Sequence, residues 1–271
     1  MKIQFVTNEK SAETSSKGNQ EKWFDQAADK WYKLDQFGYE ALSETLISEL
    51  LESSNIEQDT PFTFVRYQLE KAVVHGNERT VCSSRNFLKK GQSVITLSHL
   101  FKRISETSLS SKLNNLSSDK KRIEYLADTV AEYTQLEFFP QYLTLLFEID
   151  ALFLNDDRHL NNIAVIEENG RFDYCPVFDN GAGLLSNVHL SPMDISAKGL
   201  IPQLYARPFM TTFNRQRNTA QKLFGRQLSM PLFSRSDITA VIKPMLEFYP
   251  MRDRGIIRDR ITECILFRQK Q

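Results

Sequence analysis

Residues 155–185 read NDDRHLNNIAVIEENGRFDYCPVFDNGAGLL and carry acidic and amide side chains on both sides of a short turn. Asn169-Gly170 is typical of a two-residue type I′ hairpin, because both central positions need a positive φ that Asn and Gly tolerate. The turn lies between IAVI and RFDYCPVF, so Glu168 should face Arg171. The stretch therefore predicts two antiparallel strands with polar residues gathered at their open end.

The register of this hairpin predicts a cation site. If the ladder continues, Asn162 faces Val177 and shares a sheet face with Asp179. Diagonal neighbours of this kind have Cβ atoms up to about 7–8 Å apart, which two side-chain oxygens and one cation can bridge. Mg²⁺ is commonly held by one or two protein oxygens together with phosphates and water. We therefore predict Asn162 and Asp179 as metal ligands, with Asp157 at the same rim.

The same residues also have a purely local interpretation. Asp156 or Asp157 could accept hydrogen bonds from neighbouring backbone, Asn162 could form a turn, and Asp179 could start an Asx-turn before Gly181. Each residue taken alone favours this interpretation. The metal-site interpretation depends on all three oxygens meeting in one hairpin.

Composition limits the classes of function. The chain has 271 residues with 34 basic and 34 acidic side chains. It therefore has no net charge whose electrostatic field would recruit nucleic acid or a membrane. The three cysteines are far apart and lack CxxC spacing, which favours a reducing cytoplasm over a disulfide framework or a zinc site. No apolar run approaches the roughly 18 residues of a membrane span. We expect a cytoplasmic protein that binds neither membrane nor, by itself, nucleic acid.

Hydrophobic periodicity predicts an α+β chain in two lobes. Residues 1–90 should form a small β-rich lobe and residues 91–271 a larger helical lobe, joined near residues 87–97. The predicted strands are Met1–Thr7, Lys22–Asp25, Lys30–Leu34, Pro61–Leu69 and Thr80–Ser83. The predicted helices are Tyr39–Ser53, Leu97–Ile104, Asp119–Thr134, Pro140–Leu154, Thr211–Phe224 and Asp237–Phe248.

The spacing D-x-H-x-x-N, formed by Asp157, His159 and Asn162, resembles a known family. Together with a following strand that ends in Asp179-Asn180-Gly181, it resembles the HipA-like branch of the protein-kinase-like fold. DRHLNN is also similar to the catalytic loop of phosphatidylinositol kinases. The resemblance covers residues 32–208, and the short chain is most similar to the compact CtkA-type bacterial kinases. It implies a bilobal protein-kinase-like fold.

The resemblance also implies roles for individual residues. Asp157 would orient and deprotonate the acceptor hydroxyl, while Asn162 and Asp179 would hold Mg²⁺ against the phosphates of ATP. Lys33, on a predicted strand, and Glu44, on the following helix, match the phosphate-binding cation and its acidic partner. Without the resemblance, Lys33 would be interpreted as a solvated lysine and Glu44 as a helix-surface acid. Glu40 is the alternative partner of Lys33.

The loop of residues 9–20 should cover the phosphates, yet it departs from the family pattern. It has a single glycine, Gly18, where a Gly-rich run is expected. Ser15, Ser16 and Lys17 could still contact phosphate through hydroxyls, backbone N–H groups and one cation. Because HipA-like enzymes can phosphorylate a serine in this loop, the resemblance makes Ser15 or Ser16 a candidate autophosphorylation site. The alternative is a polar loop without this role.

The resemblance implies an ATP- and Mg²⁺-dependent kinase that acts on Ser or Thr of a protein. A small-molecule or lipid kinase and a nucleotide-binding pseudokinase are the alternatives, although no polybasic segment favours a lipid surface. A metal-dependent nuclease is disfavoured by the neutral charge. The protein substrate is not identified, and an antitoxin-like partner is left open. Arg207 is interpreted as a surface arginine, with the acceptor side of the cleft as the alternative.

Overall fold

The computed structural model describes residues 20–105 and 108–271. The predicted strand Met1–Thr7 and the two serines of the predicted phosphate-covering loop, Ser15 and Ser16, lie outside the described residues.

The first sheet has four antiparallel strands, which begin at Lys22 (β1), Lys30 (β2), Gln68 (β3) and Asn77 (β4). Their order in the sheet is β1-β2-β4-β3. In β2, Lys33 lies opposite Lys22 of β1 on one side and Cys82 of β4 on the other. The predicted strands at residues 22–25 and 30–34 are confirmed at both ends. The four strands are β1 Lys22–Asp25, β2 Lys30–Leu34, β3 Gln68–Val74 and β4 Asn77–Arg85.

The predicted strand Pro61–Leu69 is wrong for all but its last two residues, since β3 begins at Gln68. Phe62 and Phe64 are almost fully buried, and the Phe62 ring packs edge-on against Tyr142. The segment is therefore held by ring burial rather than by the sheet. Its backbone is nevertheless paired, because Val177 donates to the Thr63 carbonyl at 2.8 Å.

Helix α1, Glu40–Leu51, packs on this sheet and confirms the helix predicted at residues 39–53. Eleven of its twelve residues are buried, including Glu40 and Glu44. A helix buried on every side lies inside a protein rather than on its surface. The interpretation of Glu44 as a helix-surface acid is therefore wrong. The short helix α2, Ile56–Asp59, follows.

A second sheet contains the predicted hairpin. Its strands are β5 Ser93–Thr96, β6 Ala164–Glu168 and β7 Arg171–Tyr174, in that order. Glu168 faces Arg171, and Asn169 and Gly170 have φ of 52° and 77°, as a type I′ turn requires.

The hairpin register does not extend to Asn162. The ladder stops at the pair of Val165 and Tyr174, and Val177 bonds to the 63–65 segment instead. Pro176 explains the break, because proline has no N–H to donate to the ladder. The expectation that Asn162 faces Val177 is therefore wrong, and any meeting of Asn162 with Asp179 must arise from the loops.

Helices make up most of the chain after Thr96. The central helix α6, Phe139–Phe153, is almost entirely buried. It is followed by Leu154, which has φ of 58° and turns the chain into the acidic loop. Helix α5, Asp119–Thr134, has the predicted bounds. It begins after Ser118, whose side chain accepts a hydrogen bond from the Lys121 N–H. The helices are α3 Leu97–Ile104, α4 Leu109–Asn114, α5 Asp119–Thr134, α6 Phe139–Phe153, α7 Ala197–Leu200, α8 Phe213–Phe224, α9 Arg235–Met245 and α10 Met251–Arg268.

The order of elements confirms the predicted α+β class: a small antiparallel sheet with one long helix, then a larger helical region with a short second sheet. The lobe boundary between residues 90 and 91 stays a prediction. Within residues 20–105 and 108–271, no helix is both long enough and apolar enough to cross a membrane.

Candidate active site

Lys33, Glu44 and Asp179 form one buried ion-pair cluster. The Lys33 ammonium donates to Glu44 Oε1 and, at 2.6 Å, to Asp179 Oδ1. Glu44 is completely buried, and Lys33 and Asp179 have side-chain exposures of only 11% and 12%. The fold thus brings together a strand, a helix and a loop that are up to 146 residues apart in the chain.

The cluster holds its charges against the cost of burial. Burial disfavours the charged form of Lys33, but Asp179 and Glu44 raise its pKa well above the usual value. Burial likewise opposes ionisation of Asp179, yet Lys22 and Lys33 hold its pKa well below the usual range. Lys22, which the sequence analysis did not single out, lies 3.8 Å from Asp179 Oδ2. The interpretation of Lys33 as a solvated lysine is therefore wrong.

Glu44, rather than Glu40, contacts Lys33. The second oxygen of Glu44 accepts from the backbone N–H of Asn180 at 2.8 Å, which ties α1 to the loop after β7. Glu40 instead accepts from the Phe37 N–H at 2.9 Å, at the start of its own helix. At Gly181 an added Cβ would lie 3.1 Å from Glu44 Cγ, so a glycine permits this close approach.

Arg158, a residue that the sequence analysis did not single out, organises the loop around Asp157. Its side chain is fully buried and forms a salt bridge with Asp150 on α6, with Nη2 at 2.9 Å from Oδ1. It also donates to the Phe178 carbonyl at 2.5 Å and to Asn180 Oδ1 at 2.6 Å. Burial raises the pKa of Asp150 to about 6, with Arg158 opposing that shift. The sequence signal for this salt bridge was Asp150, an acid in the last turn of the helix that precedes DRHLNN.

Asn162 and Asn155 also form hydrogen bonds that hold the loop around Asp157. Asn162 Nδ2 donates to the Asp157 carbonyl at 2.9 Å, and Asn155 Nδ2 donates to the Asp179 carbonyl at 3.1 Å. The Asn162 Oδ1 atom is buried and has no hydrogen-bond partner in the described part of the chain. A buried, unsatisfied acceptor is costly, so this oxygen is available to a ligand.

The donor set fits Mg²⁺ bound together with phosphates. No group of three or more His, Cys, Asp or Glu side chains that could hold a metal by itself occurs among residues 20–105 and 108–271. The carboxylate of Asp179 and the free amide oxygen of Asn162 are hard oxygen ligands, which Mg²⁺ prefers. Two such ligands suffice where substrate phosphates and water complete the octahedron.

Asp157 differs from the buried cluster in its exposure. Its side chain is 44% exposed, and Oδ1 lies 3.4 Å from Arg207 Nη1 while Oδ2 lies 3.8 Å from His159 Nε2. Burial raises the pKa of Asp157, and His159 and Arg207 oppose the shift. The neighbouring Asp156 has its pKa raised to about 6, by burial and by the charge of Asp157.

A cavity of about 220 Å³ opens beside Asp157. Asp156, Asp157 and Arg207 form its polar wall, and Leu154 and Leu204 belong to its apolar wall. Arg207 is 45% exposed and also lines this cavity, so it is both a surface arginine and a residue of the cavity wall. An acceptor group that enters the cavity would meet the Asp157 carboxylate.

Comparisons with known proteins identify the fold. No family model matches the sequence, and neither does any curated protein sequence. The structure is similar to the crystal structure of the Helicobacter pylori proinflammatory kinase CtkA, with a TM-score of 0.61 and 15% identity, over 97% of this chain and 94% of that chain.

It is also similar to HipA of the Shewanella oneidensis MR-1 toxin-antitoxin system, solved with HipB and operator DNA. That match has a TM-score of 0.51 and 12% identity and covers 94% of this chain but 64% of the HipA chain. The identities are too low to transfer an activity, but the folds correspond along almost the whole chain. The chain therefore has the HipA-like and CtkA-like form of the protein-kinase fold.

Proposed function

We propose that this chain is a phosphotransferase that moves the γ-phosphate of ATP, with Mg²⁺, to a Ser or Thr hydroxyl of a protein. The observation that carries the proposal is the buried ion-pair cluster of Lys33, Glu44 and Asp179, together with an Asn162 side-chain oxygen that is buried and has no hydrogen-bond partner among the described residues. In phosphoryl transfer, positioning and charge stabilisation supply most of the catalysis, so this arrangement is what the reaction needs.

Lys33 and Lys22 would contact the phosphates of the nucleotide. Glu44 fixes the Lys33 ammonium from the side of α1, and Asp179 fixes it from the loop. An ammonium held by two buried carboxylates stays charged and does not reorganise when an anion arrives. Ser15 and Ser16 remain the proposed phosphate contacts and the proposed autophosphorylation sites.

Asn162 and Asp179 would hold the Mg²⁺ ion. The ion would neutralise the negative charge that develops on the phosphate oxygens during transfer. Asn155 donates a hydrogen bond to the Asp179 carbonyl, and Arg158 donates to the carbonyls of Phe178 and Asn162. Arg158 and Asn155 thereby position the backbone that carries both ligands. These two residues therefore act through the ligands and not on the substrate.

Asp157 would orient the acceptor hydroxyl and accept its proton. The new bond forms between the hydroxyl oxygen and the γ-phosphorus, the bond from that phosphorus to the bridging oxygen of ADP breaks, and the proton goes to the Asp157 carboxylate. Its exposure of 44% leaves the carboxylate open to a hydroxyl presented from solvent. This openness favours an acceptor carried on another protein.

A small-molecule acceptor is the second candidate, because the cavity of about 220 Å³ beside Asp157 could enclose one. A phosphatidylinositol-type acceptor and a pseudokinase remain the alternatives that an assay must separate. An antitoxin-like protein partner is also a proposal, and it rests on the HipA neighbour having been solved with HipB.

Phosphate transfer from γ-labelled ATP tests the proposal. We expect label on proteins of a cell lysate, and on the chain itself at Ser15 or Ser16, only when Mg²⁺ is present. Label confined to sugars or lipids would select the second candidate, and no label on any acceptor would select the pseudokinase.

Nucleotide binding is tested separately by thermal shift. A ligand that binds the folded state stabilises it according to its concentration over Kd. We expect Mg²⁺ to increase the shift produced by ATP in the unmodified chain and to add nothing in Asp179→Ala. Equal Mg²⁺ dependence in both proteins would remove Asp179 from the metal site.

A further inference from the structure

A second cavity, of about 340 Å³, lies in the helical region and shares no lining residue with the cavity beside Asp157. It is bounded by α6, α8, α10 and the segment of residues 226–233. Three arginines line it: Arg217 on α8, Arg226 just after α8, and Arg268 at the end of α10.

None of these three arginines forms a salt bridge within residues 20–105 and 108–271, although sixteen ion pairs occur there. Their hydrogen-bond acceptors are main-chain or asparagine oxygens, and none is an acidic side chain. Arg268 donates to the Ala151 carbonyl at 2.5 Å and to an asparagine oxygen at 2.7 Å. Arg217 donates to the Gln271 main-chain oxygen at 3.2 Å, and Arg226 donates to the Leu228 carbonyl at 2.9 Å.

One acidic residue, Glu148 on α6, occurs among the described residues that line the cavity, and its carboxylate is already engaged. Its oxygens accept from Gln221 Nε2 at 2.5 Å and from the backbone N–H groups of Gln227 and Leu228 at 3.0 and 2.7 Å. Among the described side chains that line the cavity, three guanidinium groups and one carboxylate leave an excess of two positive charges.

This excess is unfavourable in the free protein. Arg268 is only 6% exposed. Burial lowers its pKa to about 10, and the charge of Arg217 adds to that shift. Burial also lowers the pKa of Arg217, with Arg226 adding to the effect and Glu148 opposing it. A bound anion would relieve the repulsion between these cations.

The cavity also indicates the kind of anion. A guanidinium presents a planar fork of N–H donors that matches the oxygens of a phosphate group. Leu152, Met230 and Phe233 form an apolar wall beside the arginines. The volume lies at the lower end of the range for small-molecule sites, about 300–1,000 Å³. Inorganic phosphate would leave the apolar wall uncovered.

We propose that this cavity is a binding site for a small organic phosphate monoester, with the phosphate on Arg217, Arg226 and Arg268 and the organic body against the apolar wall. The site is separate from the proposed kinase cleft. It stands whether or not the chain transfers phosphate.

Phenyl phosphate is a suitable probe because it joins a phosphate dianion to an apolar ring. Isothermal titration should compare it with inorganic phosphate, which lacks the ring, and with phenol, which lacks the charge. We expect phenyl phosphate to bind the unmodified chain and both fragments to bind at least about tenfold more weakly, since each lost group is worth about 1.4 kcal/mol or more.

The double variant Arg217→Ala/Arg226→Ala locates the site. We expect its Kd for phenyl phosphate to rise by roughly a hundredfold, because two charge-assisted contacts are lost. The matched control is Arg252→Ala, whose side chain is 86% exposed on α10 and lies outside the cavity. Its Kd should stay within about twofold of the unmodified value. The single variant Arg226→Gln, at an exposed position, tests the site if the double variant does not fold.

Three results would overturn the proposal. The first is an absence of phenyl phosphate binding to the unmodified chain at millimolar concentration. The second is binding that survives unchanged in the folded double variant or in Arg226→Gln, because the probe would then occupy another site such as the kinase cleft. The third is inorganic phosphate that binds as tightly as phenyl phosphate, because the apolar wall would then have no role.

Discussion

The two ends of the candidate active site are built in opposite ways. At one end, Lys33, Glu44 and Asp179 are buried and bonded to one another, and Arg158 and Asn180 fix the loop behind them. At the other end, Asp157 is 44% exposed, and its nearest basic side chains, Arg207 and His159, lie at 3.4 and 3.8 Å.

This difference corresponds to the two substrates of the proposed reaction. Phosphates and metal need charges fixed in advance, and burial strengthens such charges. An acceptor hydroxyl that arrives on another molecule needs a base that solvent and substrate can reach. The comparison predicts that changes at the buried end affect folding as well as activity, whereas changes at the open end affect activity alone.

The largest effect is expected for Asp157→Ala. Loss of a general base typically costs about 10²–10⁴-fold in rate, so phosphate transfer should fall by at least a hundredfold. The midpoint of thermal unfolding should change little, because exposed substitutions usually lie within about 0.5 kcal/mol of neutral. Initial rates with labelled ATP and thermal unfolding measure the two quantities.

The control for this variant is Asp194→Ala, an exposed aspartate that does not line the cavity beside Asp157. Transfer by Asp157→Ala at the rate of this control would reject Asp157 as the base. A large loss of stability in Asp157→Ala alone would remove the contrast between the two ends.

Glu44→Gln should instead destabilise the fold. Removing one charge of a buried pair leaves the other uncompensated, which typically costs about 3–5 kcal/mol. Because Lys33 keeps Asp179, the lower end, about 3 kcal/mol, is expected. Denaturant unfolding of this variant and of Glu49→Gln, an exposed position on the same helix, measures the difference. A value for Glu44→Gln within 0.5 kcal/mol of the control would show that the buried cluster does not support the fold.

The buried end should also make stability depend on pH through Asp35, which follows β2. Its oxygens accept from the Ala41 N–H and the Tyr249 hydroxyl, both at 2.5 Å. Burial raises the pKa of Asp35 from 3.8 to about 7, and these two hydrogen bonds oppose the shift. The folded chain therefore holds this proton more tightly than the unfolded chain. The contribution of Asp35 to stability is greatest below about pH 4 and falls as the pH rises to about 7.

Asp35→Asn cannot ionise, so it isolates this contribution. We expect the variant to be less stable than the unmodified chain at pH 4.5 and to lose that disadvantage by pH 8. Thermal unfolding of both proteins across this range gives the difference as a function of pH. A constant difference would mean that Asp35 does not titrate within this window.

The smallest effect is expected for Arg207→Ala at the open end. Arg207 opposes the upward shift of the Asp157 pKa, so its removal should raise that pKa further. The acid limb of the pH-rate profile should then move to higher pH, by less than one pH unit because exposed ion pairs are worth at most about 1 kcal/mol. The shift should shrink in high salt. An acid limb that moves to lower pH would contradict the assignment, and Arg252→Ala is the matched control.

Much of the fold was predictable where local patterns agree with packing. The strands at residues 22–25 and 30–34 and the helix α5 follow directly from alternation and periodicity. The hairpin at Asn169-Gly170 follows from turn chemistry. The segment of residues 61–67 was mispredicted because aromatic residues are enriched in strands, whereas here the burial of Phe62 and Phe64 holds the segment outside the sheet.

Several residues of the candidate site were selected from the sequence, but their geometry was not predictable. Lys33 and Glu44 were selected by the resemblance, and Asp179 was selected by the hairpin register as well. Lys22 was missed because nothing in the local sequence connects it to Asp179. Arg158 was missed although Asp150, in the last turn of the preceding helix, was an available signal. The ladder from the hairpin was expected to carry Asn162 to Asp179, yet Pro176 stops it. Arg158 and Asn155 organise the loop instead.

The sequence by itself determined the class of fold, the hairpin and the identity of the polar residues around it. These depend on side-chain periodicity and backbone preference within a few residues of each other. Only the tertiary structure decided which charges are buried and that Glu44 rather than Glu40 meets Lys33. It also decided that three arginine side chains, but only one acidic side chain among the described residues, line one cavity. Electrostatic energy depends on distance and burial in space, and contacts between residues more than a hundred positions apart leave no local pattern in the chain.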